Sequence, residues 1–161
     1  GELDTRVELE SDAAFIGWDL VCLGRSAAGE RFSQGRIRQA IAVTREGVPL
    51  FIERASFEGG DALLASPVGL NGAVVFGTFI AALSVVPDAM LSACREVATR
   101  VNEDAGDAAG ETGVTRMRGC LVGRYRGASA QCARAYFARL WCVVRPLAIG
   151  LDAVAPRIWN T

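Results

Sequence analysis

The stretch FIGWDLVCL, residues 15–23, constrains the fold of this chain more than any other. Read as a strand, it places Phe15, Gly17, Asp19, Val21 and Leu23 on one face and Ile16, Trp18, Leu20 and Cys22 on the other. Both faces are apolar, and a strand of that kind needs cover on both sides. A layer is therefore expected above it and another below. Asp19 is the exception, a carboxylate where an unpaired charge costs several kcal/mol.

The first two-thirds of the chain read as further strands. LDTRVELE alternates, with Leu3, Thr5, Val7 and Leu9 on one face and Asp4, Arg6, Glu8 and Glu10 on the other. RIRQAIAVTR points Ile37, Ile41 and Val43 inward, with Arg36 and Arg38 opposite, and REGVP turns the chain into PLFIERASFEG. An antiparallel meander is expected. Residues 62–87 carry no charge and are long enough to span a bilayer, but Pro67, Gly69, the Asn71-Gly72 pair and Gly77 divide them, and the flanking charges, Asp61 and Asp88, are acidic. This segment reads as two short buried strands around an Asn-Gly turn, not as a membrane helix.

Two helices are expected in the second half. The first spans 87–106, with Pro87 and Asp88 at its start, an apolar stripe of Met90, Leu91, Cys94, Val97, Ala98 and Val101, and Gly106 as its cap. The acidic run 103–113 reads as a mobile exposed loop, and VTRMRGCLVGRYRG as one or two strands. The second helix covers about 128–148, with Ala130, Ala133, Phe137, Leu140, Trp141 and Val144 on one side and Pro146 bending or ending it. The 161 residues suit one mainly β domain with two helices in its C-terminal half.

Several kinds of chemistry are closed to the side chains. The chain has no histidine, and all 17 of its basic residues are arginine. Serine–histidine and cysteine–histidine catalysis, histidine metal ligation, the Walker A lysine and Schiff-base chemistry are excluded for the chain acting alone. Ser26 and Ser66 lack a base and read as turn residues. The net charge of −1 argues against nucleic acid or an anionic membrane as partner. The five cysteines, Cys22, Cys94, Cys120, Cys132 and Cys142, fit neither a disulfide framework nor a zinc site, and are expected as free buried thiols in a reducing cytoplasm. GELDTRVELE is polar, so no signal peptide is expected.

Glu53 resembles Asp19. It shares a strand face with Phe51, Ala55 and Phe57. Each acid could pair with a buried arginine, Arg54 or Arg38, or bind backbone N–H groups, or both could line a polar internal space as acid–base groups or as oxygen ligands for a cation. The pairs Arg36/Arg38, Arg116/Arg118 and Arg124/Arg126 would each point to one strand face, about 7 Å apart. They could hold an anionic partner or simply form a solvated face with surface ion pairs. The terminal Trp159 either tucks into the core or anchors a partner.

GWDLVCLGR, GERFSQGRIRQ, PLFIER, GGDALLASPVGLNG, GVTRMRG, LWCVVRP and PRIWNT together resemble the family of the urease accessory protein UreD (UreH), in the family's order along the whole chain. The resemblance implies stacked β-strands with two packed helices. It also implies a non-enzymatic, cytoplasmic scaffold that binds apo-urease and a UreF-type protein, and through the latter a UreG-type GTPase. In this family nickel passes through an internal tunnel, so the resemblance implies no tightly bound cofactor. Asp19 and Glu53 match acidic positions of the family and are expected to line that passage as weak metal ligands. It further implies that residues 1–161 are the C-terminal part of a longer protein, lacking N-terminal strands. Two other readings remain: a carboxylate-pair hydrolase, with both acids facing one open aromatic-lined cleft, and a plain β interaction module in which they are structural.

Overall fold

The structure, a computed structural model, describes residues 1–25, 28–105 and 110–160. Its strands are β1 (Glu2–Leu9), β2 (Phe15–Cys22), β3 (Arg36–Arg45), β4 (Val48–Glu58), β5 (Val75–Ala82), β6 (Glu111–Met117) and β7 (Cys120–Gly127). The helices are α1 (Ala62–Ala65), α2 (Asp88–Ala105) and α3 (Ala130–Ile149), and a 3₁₀ turn covers Arg157–Asn160. The mainly β class, with two long helices in the second half, is what the sequence leads one to expect.

The strands form two sheets, ordered β1-β3-β4 and β2-β5-β7-β6. They stack face to face, and α2 and α3 cover the outer side of the four-stranded sheet. This three-layer order follows from the two-faced strands. Phe15 of β2 packs with Ile41, Val43, Phe51, Ile80 and Val122 between the sheets. Ile16, Trp18 and Leu20, on the other face, pack against Phe79, Phe137 and Leu140 beneath the helices. All eight residues of β5 are buried for the same reason. Gly77 lets the layers close: a Cβ there would lie 2.7 Å from the Asp19 carbonyl oxygen and 2.9 Å from the Phe137 ring.

The expected meander holds only in part. β3 and β4 form an antiparallel hairpin through Glu46 and Gly47, both at positive φ, and β6 and β7 pair in the same sense. But β1 runs parallel to β3, Glu2 beside Arg38 through Leu9 beside Arg45, and β2 pairs with β5, Phe15 opposite Ala82. Two-sided burial is the reason. Among the described residues no layer lies over the far face of the outer sheet, so β2 is covered on both sides only in the other sheet, and the chain leaves the outer sheet for β2 and returns for β3.

Residues 62–87 also depart from expectation: only the second piece is a strand. Asp61 caps the single-turn helix α1 by accepting from the Leu63 amide at 3.0 Å. The chain then folds back, with the Leu70 and Gly72 amides donating to Leu63 and Leu64. Gly69 makes that return possible, since a Cβ would sit 2.0 Å from the Leu63 carbonyl oxygen. Asn71 and Gly72 take the positive φ values of the expected turn, and Ser66 lies in the turn region after α1 as read. No helix among the described residues is long and apolar enough to cross a membrane.

α3 is capped by Ser129, whose hydroxyl accepts from the Cys132 amide at 3.2 Å, and by Gly150 at φ 66°. It runs three residues past Pro146 instead of stopping there, because a missing donor in the last turn costs a single backbone hydrogen bond. Trp159 tucks inward, 5.0 Å from Trp18 and 4.9 Å from Trp141 between ring centroids. Of the five free thiols only Cys94 and Cys120 are buried; Cys22, at the end of β2, and Cys142, on the outer side of α3, are exposed. Ser26, Gly106 and the middle of the acidic run lie outside the described residues.

Two outcomes follow for stability. Phe137→Ala, at a position with 0% exposure, should cost about 3–5 kcal/mol in urea unfolding, whereas Val68→Ser on the surface should stay within about 0.5 kcal/mol. Burial pushes the Cys94 thiol up to about 11 from its ordinary 9.0, so the folded chain holds that proton more tightly than the unfolded chain. Stability should be complete below about pH 9 and decline as pH rises toward 11, and Cys94→Ala should flatten the decline in a melt-versus-pH series.

Candidate functional site

Between the sheets, most strands carry one polar side chain set between two apolar clusters. On β5, Thr78 lies between Phe76 and Ile80; on β4, Glu53 and Ala55 lie between Phe51 and Phe57; on β3, Gln39 lies between Ile37 and Ile41; on β2, Asp19 and Gly17 lie between Phe15 and Val21. Thr5 and Arg124 extend the row on β1 and β7. Strand register aligns these positions, with Asp19 opposite Thr78 and Thr78 opposite Arg124. The result is a polar band across the sandwich, with apolar packing on either side.

Asp19 accepts a hydrogen bond on Oδ2 from the Thr5 hydroxyl at 2.7 Å. Glu53 reaches across from the other sheet. The Thr78 hydroxyl donates to its two carboxylate oxygens, at 3.3 and 3.4 Å. Arg124 Nη1 lies 2.6 Å from Glu53 Oε2 and also donates to Thr78 Oγ1 at 3.1 Å. The guanidinium sits over Phe51, 5.8 Å from the ring centroid. Thr78 is therefore the junction of the band. It is 2% exposed, accepts a hydrogen bond from Arg124 and donates one to Glu53. Gln39, 3% exposed, has no hydrogen-bond partner for either amide atom among the described residues. Buried amides are normally satisfied, by water or a ligand where the protein supplies nothing.

The acids open onto different spaces. Asp19, Thr5, Trp18 and Thr78 line a cleft of about 160 Å³. Glu53, Thr78, Arg124, Glu111 and Arg126 line one of about 360 Å³. Thr78 borders both. Asp19 lines the first of these clefts and Glu53 the second, and neither cleft is lined by both carboxylates, which is not the arrangement expected of a carboxylate-pair hydrolase. Among the described residues there is no group of three or more histidine, cysteine or acidic side chains placed to hold a metal ion. What the band offers a cation is single carboxylates, hydroxyls and an amide oxygen.

Glu53 does pair with an arginine, but with Arg124, whose side chain is exposed, and not with a buried Arg54 or Arg38. Arg38 pairs with Glu2 at 3.2 Å on the far side of the outer sheet, and Arg54, one residue from Glu53, faces that side too. Of the three arginine pairs, Arg36 is bound to Glu58 and Arg116 to Asp88, which is the solvated-face reading. Arg118 does not share a strand face with Arg116, because it lies beyond β6 in the turn to β7. Arg124 and Arg126 do share a face. Arg126 is held by Glu111 at 2.6 Å and by the Pro67 and Gly69 carbonyls. That contact, helped by Asn71, keeps the Glu111 carboxyl below its ordinary range. Thr5, Gln39 and Thr78 are the members the sequence reading did not single out, and Arg124 was marked only as one of an arginine pair and not as the partner of Glu53. Their signal was there: one polar residue interrupting each inward apolar series.

Removing the hydroxyl of Thr78 or Thr5 leaves a carboxylate short of a donor. Thr78→Val and Thr5→Val should each lower stability by about 1–3 kcal/mol, read by urea unfolding, while Thr78→Ser keeps the hydroxyl and should retain most of it.

Comparison with known proteins now bears on these residues. The model of the UreD urease accessory protein family matches residues 1–160. The urease accessory protein UreD of Dechloromonas aromatica (strain RCB) is 44% identical over 162 residues, covering 99% of this chain and 54% of that protein. Those of Azoarcus sp. (strain BH72) and Pseudomonas savastanoi pv. phaseolicola (strain 1448A / Race 6) are 44% and 42% identical, covering 100% and 99% of this chain and 54% of each relative. The chain thus spans about half the length of the curated relatives it matches.

Proposed function

This chain belongs to the UreD urease accessory protein family, and on that premise we propose that it serves urease maturation as a non-catalytic scaffold whose inter-sheet polar band conducts nickel. The scaffold binds apo-urease on one side and a UreF-type accessory protein on the other, and reaches a UreG-type GTPase through the latter, in the cytoplasm.

The observation that carries the reading is the band itself. A purely structural sandwich has no need of Asp19, Gln39, Thr78 and Glu53 in one layer, since buried polar groups cost stability unless satisfied and apolar residues would pack there without that cost. For an ion in transit the same groups are useful. Asp19 and Glu53 supply oxygen, Thr78 lies between them with a hydroxyl that can donate or accept, and the unpartnered Gln39 amide can hold a water or a hydrated ion. Nickel prefers nitrogen and sulfur ligands, so isolated carboxylates hold it weakly. Weak successive sites favour release, as conduction requires.

The test is urease matured in cells by this chain carrying Asp19→Asn or Glu53→Gln, isosteric changes that remove charge and keep volume. Each variant should still co-purify with urease and the UreF-type protein, and the urease should contain several-fold less nickel with activity lowered in proportion. Normal nickel loading with intact complexes would reduce the two acids to structural groups.

A further inference from the structure

The two acids of the band are unequal. Asp19 has one side-chain hydrogen bond among the described residues, from the neutral Thr5 hydroxyl. Glu53 is held by a hydroxyl and by the Arg124 guanidinium at 2.6 Å. We propose that Arg124 is a resident competitor for Glu53, a tethered guanidinium that a divalent cation must displace before it can occupy the carboxylate. This rests on reading the band as a cation path and concerns how one of its sites is regulated.

Three features support displacement over a fixed structural pair. The Glu53 side chain is 14% exposed but that of Arg124 is 52% exposed, so the arginine is pinned at its tip and has open space along its length. That space is the 360 Å³ cleft, into which the guanidinium can swing without breaking another ion pair. Its neighbour Arg126 already neutralises Glu111 there. Lastly, Thr78 can serve either state, because its hydroxyl now accepts from Arg124 and donates to Glu53, and can accept or donate elsewhere when the guanidinium leaves.

The electrostatic consequence is exclusive occupancy. A divalent ion and a guanidinium a few ångströms apart repel strongly in a partly buried layer. A nearly buried carboxylate with no competitor would hold such an ion and stall it. A competitor on the same chain has a fixed effective concentration, so it lowers affinity evenly and lets through only ions that bind carboxylate better than a guanidinium does. Sodium and potassium, singly charged, would not displace it.

Equilibrium dialysis of the purified chain against Ni²⁺ tests this. Arg124→Met keeps an unbranched side chain of similar length and removes the charge. It should bind nickel roughly tenfold more tightly than the unaltered chain, Arg124→Lys should bind near the unaltered level, and adding Glu53→Gln to Arg124→Met should abolish the gain. Should Arg124→Met not fold, Thr78→Val loosens the same clamp and should tighten nickel binding a few-fold. If the charge-removing variant, or its Thr78→Val substitute, binds nickel no more tightly while Glu53→Gln alone weakens binding, Glu53 takes nickel without displacing Arg124; the competitor is overturned and the path stands. If Asp19→Asn and Glu53→Gln alter nickel affinity in no background, the path fails and the competitor with it.

Discussion

The middle sheet of this molecule is covered on both faces over β2, β5 and most of β7. Strand β2 is apolar on both sides and β5 is buried along its whole length, so a layer must lie above and another below before either strand is stable. The helices supply one cover and the β1-β3-β4 sheet the other. The parallel pairing of β1 with β3, the closeness permitted by Gly77 and the inward packing of Trp159 all serve that double burial. It also creates the setting of the polar band, a partly buried layer between two sheets where a carboxylate is more sensitive to its partners than at a surface.

Within that layer the interactions are few and shared. Thr78 sits at the crossing of the two sheets, bonded to Glu53 from one and Arg124 from its own. Asp19 leans on Thr5 from the opposite sheet. Both acids are therefore fixed across the interface, so the polar groups define how the sheets face each other while the apolar clusters supply most of the adhesion. A sandwich with only leucine and valine between its sheets could slide by a register step at modest cost; these bonds oppose it.

Much of this was legible in the sequence, and the failures have physical causes. Alternation placed Thr5 with Leu3, Val7 and Leu9, and Glu53 with Phe51, Ala55 and Phe57, because side-chain direction in a strand is a local property. Helical spacing marked Phe137, Leu140, Trp141 and Val144 for the same reason. Pairing is not local: nothing in residues 2–9 announces that they run parallel to 38–45. Nor could spacing reveal that Glu53 meets Arg124, distant in sequence, instead of the adjacent Arg54, which faces the other way. The segment 62–72 misled because its apolar composition suits a strand or a turn of helix equally, and the decision fell to the Asp61 cap and to Gly69.

The order in which the chain visits the two sheets has a mechanical meaning. It starts in the outer sheet with β1, crosses to the middle sheet for β2, returns for β3 and β4, and crosses again for β5. The two walls of the polar layer are thus laced together by the backbone, like fabric stitched from both sides. Walls joined in this way cannot part as rigid leaves on a hinge. For the proposed ion path this leaves the turning of side chains such as Arg124, and not a breathing motion of the whole fold, as the movement the backbone permits.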